Sequence, residues 1–87
     1  MKELVYPAVL YRDSENDAFT IAIHDLGIVA DGKTVEDAYF VAREHLTAMF
    51  ECASKLGCEI DMPSPFIKVW KENKPKENIV ILVDALA

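Results

Sequence analysis

Three carboxylates occupy positions from which a metal-dependent hydrolase could work: Asp13 at the end of the first predicted strand, Glu44 on a long predicted helix and Asp84 at the end of the last strand. Several hard oxygen donors converging on divalent cations would activate water and steady a leaving oxygen. Asp13, however, belongs to the run Asp13-Ser14-Glu15-Asn16-Asp17, whose short polar side chains bond their own backbone in turns. Glu44 falls about 180° from the apolar stripe of its helix and so faces solvent. The trio reads as solvated surface carboxylates. No catalytic residue is assigned, and the chain is not expected to be an enzyme.

The other reactive side chains also lack the company that chemistry needs. His24 and His45 stand apart from any metal-ligand repeat, and no Ser or Cys has a base at a recognisable spacing. Cys52 and Cys58 are six residues apart, which matches no usual zinc or redox spacing and cannot make a disulfide scaffold. Cys52 reads as a small packing residue and Cys58 as an exposed thiol that nothing nearby activates. Neither a metal nor a cofactor is expected.

The elements that carry these residues follow from composition and periodicity. With 87 residues, 52% of them hydrophobic and 28% charged, the chain makes one globular domain over residues 1–87. A domain of this size buries only about 60% of its unfolded surface, so self-association or a partner is expected. Fifteen acidic against nine basic residues give a net charge of -6, which repels phosphate backbones and favours a basic partner. Neither a leader-like apolar segment at the N-terminus nor a run near the roughly 18 residues of a spanning helix is present, so a cytoplasmic location is expected.

Leu4 to Arg12 is apolar on both alternating faces, as in a central strand, and Pro7 is expected near the strand's start, at a bulge or where one neighbouring strand is missing. Ala18 to His24 alternates around Phe19, Ile21 and Ile23, Asp25-Leu26-Gly27 turns the chain, and Ile28 to Asp31 makes a third strand. Thr34 is an N-cap with Asp37 at N3, and Val35, Ala38, Tyr39, Ala42, Leu46, Met49, Phe50, Ala53 and Leu56 share one stripe. Gly57 follows as the C' cap, so the helix spans Val35 to Leu56. Ser64-Pro65 predicts a short helix reaching about Glu72, then a lysine-rich loop leads into the apolar strand Ile79 to Val83. The fold class is α+β, β-β-β-α-(short α)-β. A last strand arriving after a helical crossover is most economically parallel to the first, giving a mixed sheet ordered 3-2-1-4 with the long helix on one face.

Tyr6-Pro7-Ala8-Val9, the Asp25-Leu26-Gly27 turn, the Asp31-Gly32-Lys33-Thr34-Val35-Glu36-Asp37-Ala38 approach to the long helix, the Pro63-Ser64 loop and the closing apolar strand together resemble the HicB-like antitoxin family. The similarity spans nearly the whole chain, with Gly27-Ile28-Val29 standing where the family usually has Pro-Gly-Cys. The resemblance implies a partial RNase H-like fold without that fold's catalysis. It also implies a cytoplasmic prokaryotic protein that binds and silences HicA, a small basic mRNA-cleaving toxin. Many relatives continue into a C-terminal DNA-binding segment, and this chain stops after its last strand, so direct DNA contact is not expected of it alone.

Two surfaces suit a binding role. Phe40 lies about 140° from the centre of the helix stripe, amid Glu36, Arg43, Glu44 and Thr47. It reads either as an interface aromatic or as a ring covered by a loop. With Glu36 and Glu44, and with Asp13, Glu15 and Asp17 as an acidic rim, it would meet a basic toxin. The sheet face turned away from the helix, with Val5, Val9, Tyr11, Val80 and Leu82, is the expected homo-oligomer interface, making a dimer or tetramer. Lys68, Lys71, Lys74 and Lys76 read as a solvated basic segment with Phe66, Ile67 and Trp70 packed inward. A solitary oligomeric scaffold without a toxin is the alternative function, and a metal-dependent nuclease a third.

Overall fold

Local chemistry sets the meander that begins the chain, which the computed structural model describes over residues 3–73 and 78–86. Strands β1 (Glu3–Asp13), β2 (Ala18–Ile23) and β3 (Ile28–Gly32) pair antiparallel in chain order, with Asp13 opposite Ala18 and Ile23 opposite Ile28. At the first turn the Asp13 carboxylate accepts the backbone N–H groups of Glu15 and Asn16 at 3.2 and 3.4 Å and the Asn16 side-chain amide at 2.6 Å. Between β2 and β3 a single 3-10 turn, His24–Leu26, ends at Gly27, whose φ of 67° is the left-handed region that favours glycine. Pro7 lies where the β1–β2 pairing has already ended, since β2 stops at Ile23 and the pairing starts at Val9. A residue without an N–H therefore leaves no gap in that ladder.

Helix α1 (Val35–Leu56) has both ends where the caps put them. The Thr34 hydroxyl oxygen accepts the Asp37 N–H at 3.0 Å, and Gly57 at φ 69° lets the Cys58 N–H reach the Ala53 carbonyl at 2.9 Å, a Schellman closure. Ala38, Ala42 and Leu46, spaced one helical turn apart, are fully buried against Tyr6, Ala8, Ile21, Ile23, Ala30 and Val83 of the sheet. Small side chains bring the helix close. At Gly32 a Cβ would stand 2.4 Å from the Ala38 backbone nitrogen, so only glycine fits beneath the first turn.

Beyond α1 the sequence-based expectation needs two corrections. The strand order 3-2-1-4 is as expected, but β4 (Ile79–Leu86) runs antiparallel to β1, with Ile79 opposite Leu10 and Asp84 opposite Val5, so the sheet is antiparallel throughout and not mixed. The reason is α2 (Phe66–Asn73), which packs against β1 and β4 and adds a reversal that a single crossover helix lacks. The second correction concerns α2 itself. Phe66, Ile67 and Trp70 are exposed instead of packed inward, and the buried residue of this helix is Asn73, whose side-chain amide donates to the Val69 carbonyl at 2.9 Å. Lys74 and Lys76 lie outside the described residues.

Candidate protein-binding site

The direction of β4 decides the fate of the carboxylate trio. Asp13 and the partner position of Asp84 are eight residues apart on β1, on the order of 26 Å in an extended strand. A parallel β4 would have carried Asp84 towards Asp13. Asp13 and Asp84 are also engaged locally. Asp84 accepts the Tyr39 hydroxyl at 2.8 Å and the Arg43 guanidinium at 3.1 Å, while Asp13 closes its turn. The Asn16 amide, with the turn's N–H groups, holds the Asp13 carboxyl below its ordinary pKa, and donation to Asp84 together with partial burial raises the Tyr39 phenol above its own. Glu44 is exposed on the outer side of α1. Among the described residues no group of three or more His, Cys, Asp or Glu is placed to hold a metal ion.

Two surfaces singled out from the sequence are exposed in the structure, in whole or in part. Phe40 is 50% exposed and stands edge-on to Tyr39, with ring centroids 6.3 Å apart. With Arg43, Glu44, Thr47, Ala48 and Glu51 it lines a shallow depression on the outer face of α1, and Glu36 is exposed on the first turn of the same helix. The hairpin carboxylates differ in availability. Asp17 pairs with Arg12 at 2.8 Å and Asp13 is held by its turn, whereas Glu15 is exposed.

On the sheet face opposite α1, Leu82 (51% exposed), Tyr11 and Val5 are open, and Val80 is half-buried. Val9 must be withdrawn from the expected interface: it is 2% exposed, flanked by Ala22 of β2 and Val80 of β4 on a strand against which α2 packs. The exposed Phe66 and Ile67 of α2 add apolar surface that periodicity alone assigned to the core.

A larger concavity lies between the C-terminal half of α1, the start of β3 and the 58–61 segment. Sequence reading missed it, because its walls come from three separated stretches of chain. Leu26, Ile28, Met49, Cys52, Ala53 and Ile60 give it an apolar lining, and Asp25, Glu59 and Asp61 supply carboxylates. Val29, a large apolar residue on the uncovered face of its strand, was the available signal, whereas Leu56, which periodicity assigned to the apolar stripe, is exposed. Ala48 borders both this groove and the Phe40 depression, so the two are neighbours on α1. The outer wall is fastened down at two points. The Tyr6 hydroxyl donates to the Asp61 carbonyl at 2.6 Å, and both Asp25 carboxylate oxygens accept from Ser64, from its N–H at 2.9 Å and its hydroxyl at 2.6 Å. Burial, with the nearby Asp25 and Asp61 charges, raises the Tyr6 phenol above its usual pKa.

An antiparallel sheet ordered 3-2-1-4, covered by one long helix and buttressed by a short one, is the fold of the HicB antitoxins. The N-terminal domain of Burkholderia pseudomallei antitoxin HicB superposes with a TM-score of 0.80 over 92% of this chain and 95% of that domain, at 18% identity. The longer HicB chain from the same organism gives 0.79, and the present chain spans 60% of its length. A chain of the HicA3–HicB3 toxin–antitoxin complex matches over 97% of this chain and all of its own, with a TM-score of 0.69 and 18% identity. A toxin–antitoxin complex from Streptococcus pneumoniae gives 0.78 at 16% identity over 98% of this chain and 70% of its own. No protein-family model and no curated protein sequence matches the chain. No helix among the described residues is long and apolar enough to cross a membrane.

Proposed function

We propose that this chain is an antitoxin-type binding protein that sequesters a small, basic, mRNA-cleaving toxin of the HicA type in the cytoplasm, and that it has no chemistry of its own. The observation that carries this reading is the match of nearly the whole chain to chains from two toxin–antitoxin complexes. The net charge of -6 supports it, because an acidic surface steers a basic partner into encounter. Phe40, Glu36, Glu44 and Glu15, with the weaker fields of the engaged Asp13 and Asp17, are the proposed contacts. Removal of the toxin's access to RNA by occlusion would suffice for inhibition.

The same chain is proposed to self-associate through Val5, Tyr11, Val80 and Leu82, extended by Phe66 and Ile67. The test of the main reading is stoichiometric capture of a small basic protein from native extract, followed by an RNase assay of that protein with and without this chain. Inhibition at a fixed stoichiometry is expected. A chain recovered alone, or a captured protein whose RNase activity persists in the complex, would leave the solitary oligomeric scaffold.

A further inference from the structure

We infer that the groove between the C-terminal half of α1 and β3 is the anchoring site for the basic partner, taking an apolar side chain or pair of them flanked by Lys or Arg. The inference rests on the antitoxin reading and adds a location to it. Three observations converge. The floor is apolar, with Ile28, Met49 and Ala53, and a desolvated apolar pocket is where binding energy concentrates in an interface. The rim carries Asp25, Glu59 and Asp61, and among the described residues no lysine or arginine lines it. The groove and the Phe40 depression share Ala48 as a border, so one partner can cover both.

The charge pattern selects the occupant. A second copy meeting this groove across a two-fold axis would bring the same carboxylates against themselves within a net charge of -6 per subunit, and like charges brought together oppose association. A basic segment meets each rim carboxylate with an opposite charge while its apolar side chains displace water from the floor.

Cys52 and Cys58, both free and exposed and both lining this groove, are built-in reporters. The probe is the small basic ribonuclease identified by capture, purified and recombined with the wild-type chain. Iodoacetamide labelling of Cys52 is expected to be lost in the complex. Cys52→Glu, a change at an exposed helix position, is expected to weaken binding by about tenfold to a hundredfold. If the complex forms and Cys52 still labels at the free rate, the groove is not the site although the antitoxin reading stands. If no ribonuclease binds at all, the antitoxin reading fails and the groove assignment falls with it. Protection of Cys52 in the chain alone, dependent on its own concentration, would assign the groove to a second copy and overturn the proposal.

Discussion

Gly32 shows how narrowly single residues constrain this molecule. A methyl group at that position would stand against backbone atoms of α1 that cannot rotate away, so Gly32→Ala must push the helix off the sheet. The expected cost is about 2 to 3 kcal/mol, read as a lowered urea midpoint. Asp13 permits a sign-resolved pH test. Its folded pKa is depressed, so its contribution is present above the unfolded carboxyl value and is lost as pH falls through the folded one. Wild type should exceed Asp13→Ala in urea midpoint at pH 6, and the gap should close at low pH as the wild-type carboxyl protonates. At the other end of the scale the Tyr39 phenol, raised by donation to Asp84, gives stability below the ordinary tyrosine value that is lost as pH rises through the folded pKa. Tyr39→Phe should therefore remove a late-ionising phenol from the 295 nm titration.

Helix α1 was legible to the residue because its signals are local: a hydroxyl at Thr34, a glycine at 57 and an apolar repeat between them. Loss of that cap in Thr34→Ala should cost about 1 kcal/mol, measurable by chemical denaturation. Strand order was also legible, because β1 and β4 read as the most apolar runs and so belong inside or beside the centre. The direction of β4 was not. It depends on whether the short α2 is part of a crossover or a reversal, and neither hydrophobic period nor turn chemistry encodes that. The antiparallel register is open to direct observation: NMR contacts should join Val5 to Asp84 and Leu10 to Ile79, whereas a parallel strand would reverse those pairings. The outward Phe66 and Ile67 have a related cause, since an eight-residue amphipathic helix shows that it has two faces but not which one the sheet covers.

At the scale of the molecule, the acidic groove beside α1 and the apolar sheet face opposite α1 are separately placed, which predicts separable effects. If the proposed self-association holds, Leu82→Lys and Ile67→Lys should shift light-scattering mass towards the monomer without abolishing capture of the proposed basic partner, because neither residue lines the acidic groove. Raising salt from low to physiological ionic strength should slow the association rate with the proposed basic partner far more than it changes dissociation, since steering acts before contact and the apolar floor acts after it. The site was the least legible part of the sequence. Phe40 stood out on its helix, but the groove exists only once α1, β3 and the segment after α1 have been folded against one another.

The two hydrogen-bonded ties on that segment, from Tyr6 to Asp61 and from Ser64 to Asp25, set the groove's width from inside the protein. The wall is ordered when the chain folds, so the entropy of fixing it is not charged again on association. Docking should then be nearly rigid, with a heat-capacity change that tracks contact area and no share from coupled folding. Tyr6 is fully buried, yet its hydroxyl acts as a gauge for a surface it never reaches. Tyr6→Phe should slacken the wall and speed release of the proposed partner, an effect on recognition from a fully buried residue.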